Sequence, residues 1–278
     1  MRQELAREAT IPFLKWAGGK QWLTHHIKPL IQQGRGRYIE PFLGGGAIFF
    51  SALPQKAFLS DCNQELIDTY LTIKREAGAV IGRLRKFRFK EECYYRVRDS
   101  VPRSSVGRAA RFIFLNRTCW NGLYRVNRDG RFNVPIGSFE TAPDFFVAER
   151  LLAAQKALRA AKVMCQDFEE TIKAARTGDT IYLDPPYTVT HKNNGFLRYN
   201  ERVFSWYDQQ RLAKAARVLK DRGCRVIITN ADHPNITELY RGFRITRLRR
   251  KSLVAGKVEK RRSITELLIT SFPLPDNV

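Results

Sequence analysis

The hydrophobic pattern near the start of the chain predicts two strands, each followed by a helix. Residues 37–43 (RYIEPFL) form a short apolar run that leads into three glycines at 44–46, and residues 47–53 continue as an apolar helix. Residues 56–60 (KAFLS) form a second run, after which Asn63 can cap a helix with apolar residues at helical spacing. This order of elements predicts an α/β fold built on an open parallel sheet.

The strand pattern resumes after an interruption of about a hundred residues. The later strands are predicted at 180–184 (TIYLD), 225–230 (RVIITN), 243–248 and 264–270, with a helix at 206–222. The interruption has helical spacing at 91–99, 105–117 and 145–160, and a hairpin at 124–134 that turns on Arg128, Asp129 and Gly130. We therefore predict a sheet domain of residues 1–62 and 163–278, with a mostly helical domain inserted at 63–162.

The composition is that of a globular protein, with 44% apolar and 27% charged residues in a chain of 278. No apolar run approaches the length that spans a bilayer, so we expect no membrane partner. The first nine residues lack the apolar stretch of a secretory signal, which predicts a cytoplasmic protein. Five cysteines without CxxC spacing and only four histidines support neither a disulfide framework nor a zinc site, so we expect buried thiols and no metal.

Basic residues outnumber acidic residues by 49 to 27, and two segments hold most of the excess. Residues 81–131 contain 14 basic and 4 acidic residues, and residues 241–262 contain 10 basic and 1 acidic. Arginines (33) outnumber lysines (16), which suits forked contacts to phosphate and guanine. The distribution predicts a face that binds nucleic acid, with an anionic surface of another kind as the alternative.

The glycine turn after the first strand is a candidate ligand site. Glycines at 44–46 let the backbone approach a ligand at the carboxyl end of a parallel strand, or they form a plain tight turn. Asp61 ends the next strand at the spacing of an acidic residue that accepts hydrogen bonds from ribose hydroxyls. Its alternative role is to cap the helix that follows.

A second glycine-rich segment, residues 13–20 (FLKWAGGK), departs from the phosphate-loop motif. That motif requires glycine where Leu14 lies and serine or threonine where Gln21 lies, so a nucleoside triphosphate site is excluded. Trp16 and Lys20 either close over a carboxylate-bearing cofactor or belong to an ordinary loop.

The most specific signal is the sequence DPPY at residues 184–187, which ends an apolar strand. Consecutive prolines fix the backbone and remove two N–H donors, which leaves the Asp184 carboxylate and the Pro185 carbonyl as acceptors beside the Tyr187 ring. An amino group on a nucleobase is a poor nucleophile because its lone pair is delocalised into the ring. Two acceptors that hold its hydrogens out of the ring plane return that pair to nitrogen. The alternative is a turn that only caps the strand.

Together these motifs resemble those of one enzyme family. The quoted pieces are FLKWAGGK (13–20), EPFLGGGA (40–47), SDCN (60–63), LNRTCWNGLYRVN (115–127), FNVPIG (132–137), DF (167–168) and DPPY (184–187). They occur in the order of the Dam-type, alpha-ordered or D12-class, DNA adenine-N6 methyltransferases, over almost the whole chain. The resemblance implies a Rossmann-like, mostly parallel S-adenosylmethionine-dependent methyltransferase sheet in the catalytic domain, with the insertion as DNA-recognition domain.

The resemblance also implies roles for individual residues in cofactor binding and catalysis. The cofactor residues are Trp16, Lys20, Phe42, Gly44, Gly45, Gly46, Asp61, Asp167, Phe168 and Asp184. The glycines and Asp61 hold the methionine and ribose ends of S-adenosylmethionine, and Asp167 with Phe168 binds its adenine. The catalytic residues are Asp184, Pro185, Pro186 and Tyr187. They orient the target amino group and stack on the extruded base, with S-adenosylhomocysteine as product and no metal.

DNA reading is implied for a third set of residues. These are Arg117, Trp120, Asn121, Leu123, Arg125, Asn127, Pro135, Arg250, Lys251, Arg261 and Arg262. In this family the stretch that corresponds to residues 121–127 and the hairpin that ends at 132–135 contact the site GATC. Arg125 suits guanine, and Leu123 and Pro135 suit a thymine methyl. Trp120 inserts into the base stack or is a core tryptophan of the insertion. Residues 249–262 form a loop on the phosphate backbone or a solvated surface loop.

The resemblance therefore implies an enzyme that methylates N6 of a flipped adenine in double-stranded DNA, with GATC as the favoured site. We expect a monomer, associated with the nucleoid through its DNA. One alternative is an RNA adenine-N6 methyltransferase, which shares DPPY. The other is a non-catalytic DNA-binding regulator with a relic cofactor pocket.

Overall fold

A computed structural model describes residues 11–188, 204–251 and 263–275. The helices are α1 (Thr24–Gln32), α2 (Ala47–Ala52), α3 (Gln64–Leu84), α4 (Glu91–Asp99), α5 (Ser105–Thr118), α6 (Ala148–Leu158), α7 (Phe168–Lys173), α8 (Trp206–Asp221) and α9 (Pro234–Leu239). The strands are β1 (Tyr38–Glu40), β2 (Ala57–Asp61), β3 (Ala161–Cys165), β4 (Thr180–Leu183), β5 (Arg225–Ala231), β6 (Arg244–Lys251) and β7 (Ser263–Thr270). None of these helices is long and apolar enough to cross a membrane.

Two compact units make up the fold. The first consists of Met1–Gln32 and Leu43–Asp167, and the second of Gln33–Phe42 and Phe168–Val278. In the first unit β2 and β3 pair in parallel, with Leu59 opposite Val163. Its long helix α3 packs against α5 and α6. The residues that form this helical core are fully buried: Leu66, Tyr70, Ile73, Ile113, Phe114, Leu151 and Leu158.

The second unit contains the strands that lead to the DPPY sequence. β4 lies between β1 and β5 and pairs in parallel with both, so that Ile181 is opposite Ile39 and Val226. β7 pairs antiparallel with β5 and with β6. Every residue of β4 is buried, as expected for a parallel strand covered on both faces of its sheet.

The predicted fold class is confirmed. The seven strands form a mostly parallel sheet, and the late antiparallel pair appears at β6 and β7, where residues 243–248 and 264–270 predict it. The helices predicted in the interruption are present as α4, α5 and α6. The hairpin is also present, because Val126 and Phe132 form an antiparallel bridge and the backbone turns at Gly130 with φ of 73°.

The sequence-based prediction omits β3, α1, α7 and α9. β3 alternates between buried Ala161 and Val163 and exposed Lys162 and Met164, but this alternation covers only five residues directly after a helix. Helices α7 and α9 each have six residues, which is too short for helical periodicity to stand out from chance. Short length therefore accounts for β3, α7 and α9, whereas α1 has nine residues and was missed for another reason.

Candidate active site and nucleic-acid interface

The carboxyl end of β4 carries the DPPY sequence, where the pattern predicts it. β4 ends at Leu183, which pairs with Ile228 of β5, and Asp184 follows one residue beyond. The hydroxyl of Thr229, the residue after Ile228, donates a hydrogen bond of 2.7 Å to Oδ1 of Asp184. The Tyr182 hydroxyl lies 3.0 Å from that of Thr229. Residues on two neighbouring strands therefore hold the Asp184 carboxylate.

Tyr187 is held at its hydroxyl. This group donates a hydrogen bond of 2.7 Å to Oε2 of Glu266, a buried residue of β7. Burial, followed by the negative charges of Asp184 and Glu266, raises the pKa of Tyr187 well above its usual value. The phenol thus stays protonated at neutral pH and keeps donating. The bond fixes the position of the far end of the ring, and the ring offers a flat face suited to stacking on a flat group.

The two prolines between Asp184 and Tyr187 supply acceptors and no N–H donor. Pro185 is buried, and the Pro186 carbonyl accepts a hydrogen bond of 3.3 Å from Nε2 of Gln209 in α8. An amino group approaching this turn brings only N–H donors, which carboxylate and carbonyl oxygens can accept. The turn is therefore chemically matched to an NH2 group.

The glycine turn at 44–46 lies in the first unit and has the left-handed backbone that glycine permits. Gly44 has φ of 48° and Gly46 has φ of 69°. A Cβ on Gly44 would lie 2.7 Å from Cδ1 of Trp16, so the indole packs directly on the turn. The Tyr70 hydroxyl donates to the Gly44 carbonyl at 3.1 Å. The close approach of Trp16 explains why a side chain is excluded here.

Asp61 is tied to the glycine turn by hydrogen bonds. Its Oδ2 accepts from the Gly44 amide at 2.9 Å, and its Oδ1 accepts from the Asn63 amide at 3.0 Å. The cap of α3 is the Asn63 side chain, which accepts from the Leu66 amide at 3.0 Å. Burial raises the pKa of Asp61 against the opposing effect of these backbone amides. The helix-cap alternative for Asp61 is therefore wrong, and the carboxylate instead shapes the turn.

Trp16 and Lys20 differ in exposure. Lys20 is buried, whereas Trp16 is half-buried and stacks at 5.8 Å on Tyr124 and at 6.5 Å on Phe112. A pocket of 410 Å³ opens beside Trp16 and Gly45 in this unit. It is lined by three cations, Lys15, Arg117 and Arg150, two of which, Lys15 and Arg150, the sequence reasoning did not identify.

Phe42 and Phe168 lie in the second unit and stack on each other, with ring centroids 5.4 Å apart and planes at 27°. The Arg211 guanidinium lies 4.9 Å from the centre of the Phe168 ring, and its Nε bonds Oε1 of Glu169 at 3.1 Å. Asp167, in the first unit, is exposed. The structure thus brings Phe42 and Phe168 together, and their predicted roles in cofactor binding stay predictions.

The hairpin positions the Arg125 side chain. Arg125 Nε donates to Oδ1 of Asn133 at 2.8 Å, on the opposite arm. Asn127 organises the turn, since its Oδ1 accepts from the Asp129 amide at 3.0 Å and the Arg131 amide at 2.9 Å. Arg125 is exposed, so a guanidinium already oriented by Asn133 faces solvent.

Trp120 is 53% exposed, which rules out the alternative of a core tryptophan. Its amide donates to the Pro135 carbonyl at 3.0 Å, so the two residues lie together. Asn121, which follows, is exposed and has φ of 54°. Leu123 is half-buried and Pro135 exposed. Four of the residues predicted to read DNA therefore lie close together, because a backbone hydrogen bond joins Pro135 to the segment 120–123.

The other predicted DNA contacts have different surroundings. Arg117 is only 8% exposed and donates to the carbonyls of Asp144 at 2.6 Å and Phe13 at 3.3 Å. Arg250 and Lys251 pair in β6 with Ile264 and Ser263 of β7, so the prediction of a loop over 249–262 is wrong for residues 249–251, which extend the strand. Arg261 and Arg262 lie outside the described residues. The guanidinium of Arg117 is therefore bonded within the protein, and its predicted contact with DNA stays a prediction.

Comparison with known proteins identifies the family. A family model described as D12 class N6 adenine-specific DNA methyltransferase matches residues 16–253. The chain is 37% identical to Type II methyltransferase M.MjaIII of Methanocaldococcus jannaschii, over 94% of this chain and 99% of that protein. It is 36% identical to Type II methyltransferase M1.LlaDCHI of Lactococcus lactis subsp. cremoris, over 94% and 95%, and 32% identical to DNA adenine methylase of Escherichia coli K12, again over 94% and 95%. The chain therefore belongs to the D12 class of N6 adenine-specific DNA methyltransferases.

Proposed function

We propose that this DNA adenine-N6 methyltransferase acts on double-stranded DNA at GATC and takes the target adenine out of the duplex before methylating it. The observation that carries the proposal is the exposed stretch with its hairpin, where Trp120 and Arg125 lie in the order that the family resemblance implies. In the proposed division of labour, the insertion at 63–162 reads the DNA. The sheet domain, residues 1–62 and 163–278, binds the cofactor and the flipped base.

The chain's own residues fit S-adenosylmethionine as the methyl donor. The glycine turn offers close backbone approach, because a Cβ at Gly44 would meet Trp16. Asp61 supplies a carboxylate beside that turn, suited to ribose hydroxyls. The Phe42 ring, which is half-buried and stacked on Phe168, suits a flat adenine. When bound, the cofactor supplies a methyl group on a positively charged sulfur.

Asp184 and Pro185 hold the target amino group in the proposed mechanism. They accept hydrogen bonds from the two N–H groups, so the nitrogen lone pair is withdrawn from the base ring and points at the methyl carbon. A bound S-adenosylmethionine would supply the methyl group from its sulfonium: the new nitrogen–carbon bond would replace the carbon–sulfur bond, whose electron pair would stay on sulfur, and one N–H proton would leave to water. The protein's contribution is mainly orientation. Within the described residues there is no group of acidic, histidine or cysteine side chains placed to hold a metal.

Base flipping needs binding energy from elsewhere on the protein. Unstacking and unpairing one base costs about a few kcal/mol. The two basic segments, 81–131 and 241–262, neutralise phosphates and offset this cost. The exposed Trp120 indole is large enough to fill the gap that the adenine leaves. We further propose that the protein works as a monomer in the cytoplasm, where its DNA lies.

Mapping the methylated adenines tests this function. Plasmid is incubated with the protein and S-adenosylmethionine carrying a labelled methyl group, then cut with nucleases that distinguish methylated from unmethylated sites. We expect the label at the adenine of GATC. Label spread over other sequences would contradict the proposed specificity, and a higher rate on structured RNA than on duplex DNA would contradict the proposed substrate.

Replacing Asp61 is expected to affect cofactor use. Asp61→Ala removes both the proposed ribose contact and the acceptor of the Gly44 amide, so the S-adenosylmethionine concentration for half-maximal rate should rise about tenfold or more. Affinity for duplex DNA should change less than about twofold, which serves as the internal control. Steady-state rates over a cofactor titration measure the effect. An unaltered cofactor requirement would remove Asp61 from the proposed site.

A further inference from the structure

We propose that Thr229, supported by Tyr182, is a positioning residue that fixes the orientation of the Asp184 carboxylate toward the target amino group. The proposal rests on the function proposed above for Asp184. It concerns two side chains that none of the sequence motifs contains, because Thr229 lies on β5 and Tyr182 lies within β4 before the DPPY turn.

The sheet register places the side chains of Tyr182, Asp184 and Thr229 on one face of the sheet. Leu183 and Ile228 are the last paired residues of β4 and β5, so Asp184 and Thr229 stand at corresponding positions one step beyond. The Thr229 hydroxyl bonds Oδ1 of Asp184 at 2.7 Å and lies 3.0 Å from the Tyr182 hydroxyl. The contact is thus part of the sheet geometry and does not depend on a loop conformation.

The direction of the hydrogen bonds follows from counting protons. A carboxylate cannot donate, so Thr229 gives its single hydroxyl proton to Asp184. Thr229 must then accept from Tyr182, whose phenol keeps its proton because burial and the charge of Asp184 raise the pKa of Tyr182 well above its usual value. The chain of donation runs from Tyr182 to Thr229 to Asp184.

Burial makes this series of hydrogen bonds rigid. Thr229 is 0% and Tyr182 1% exposed, so water does not compete for their hydroxyls. A hydrogen bond donated to a charged carboxylate in such surroundings is among the stronger kinds. With Oδ1 held, rotation of the carboxylate about its Cβ–Cγ bond is restricted. Drawing an amino hydrogen out of the plane of the base ring requires an acceptor with a fixed direction, and the hydrogen bond from Thr229 provides this.

Thr229→Val tests the proposal because valine keeps the shape and removes the hydroxyl. We expect single-turnover methylation of a GATC duplex to slow about tenfold to a hundredfold, with cofactor and duplex affinities within about twofold of the wild type. Thr229→Ser restores the donor and should recover the rate to within about threefold. Loss in both Val and Ser variants, or in neither, would overturn the proposal, since the hydroxyl would then not decide the rate.

A matched control is available on the neighbouring strand. Thr180 is 2% exposed, and its hydroxyl has no hydrogen-bond partner among the described residues. Thr180→Val makes the same chemical change and is expected to leave the rate within about twofold. A loss equal to that of Thr229→Val would assign both to general disturbance of the sheet and overturn the proposal.

Tyr182→Phe decides the question even if Thr229→Val fails to fold, which thermal melting would reveal. It removes the donor to Thr229, and we expect a several-fold slower single turnover with unchanged duplex affinity. A wild-type rate in Tyr182→Phe would overturn the proposed role of the hydrogen bonds from Tyr182 through Thr229 to Asp184. Asp184→Ala distinguishes a failure of the role proposed for Thr229 from a failure of the function proposed for Asp184. If that variant still methylates normally, the proposed function of Asp184 fails; if it is inactive while Thr229→Val is fully active, only the role of Thr229 fails.

Discussion

Asp184→Ala is expected to reduce methyl transfer about a hundredfold to a thousandfold while leaving duplex binding nearly intact. In the proposed mechanism alanine removes the acceptor that withdraws the lone pair of the target nitrogen from the base ring, and loss of one preorganised group at a reacting centre typically has an effect of this order. Binding is expected to survive because the proposed contacts with phosphate lie in the basic segments and not in the DPPY turn. Single-turnover transfer of a labelled methyl group measures the rate, and titration with a fluorescent duplex measures the affinity.

A matched aspartate shows whether the loss is specific. Asp221 ends α8 and is exposed, so Asp221→Ala makes the same change far from the proposed chemistry in sequence and should keep the wild-type rate. Asp184→Asn keeps the size and one oxygen but loses the negative charge, and an intermediate rate is expected. Transfer by Asp184→Ala at more than a tenth of the wild-type rate would contradict the assigned role.

Arg125→Ala is expected to relax sequence preference at one guanine of the site. The guanidinium is exposed and already oriented by Asn133, so it can donate two hydrogen bonds to a guanine edge in the major groove. One such pair contributes about 1–3 kcal/mol of discrimination against the wrong base, which corresponds to about fivefold to a hundredfold or more in rate ratio. The measurement is kcat/KM on a set of duplexes in which each base pair of GATC is replaced in turn. Discrimination should collapse at one position and persist at the others.

The hairpin itself supplies the control for Arg125. Arg128, at the tip of the turn, is also an exposed arginine, and Arg128→Ala removes the same charge. It should weaken binding to all duplexes by a similar small factor and flatten the salt dependence by about one unit of slope. An equal loss on every sequence for Arg125→Ala would place that residue with the phosphate contacts instead of with the base contacts.

Local patterns predicted a large part of the fold because their causes are local. The strand, glycine turn and helix around residues 37–53 follow from apolar spacing and from the left-handed backbone that glycine allows. The DPPY turn ends β4 because proline has no amide proton to continue a strand ladder. The hairpin at 124–134 follows from the turn residues between two arms.

Contacts between segments that are distant in sequence could not be predicted from local patterns. The Asp61 carboxylate fits two roles in the linear pattern, and only the structure excludes the capping role, because Asn63 caps the helix while Asp61 accepts from the Gly44 amide. The exposure of Trp120 likewise depends on how the stretch packs and could not be read from its neighbours in the chain.

The amino-acid sequence by itself indicated the family through the order of its motifs, and it predicted most of the strands and helices and the positions of the glycine and DPPY turns, since each of these motifs and elements depends on residues a few positions apart. Only the tertiary structure decided which side chains hold Asp184 and Tyr187. Thr229 is 45 residues from Asp184 and Glu266 is 79 residues from Tyr187. Strand register brings these partners together, and register is a property of the whole sheet, set by the burial of many apolar side chains at once.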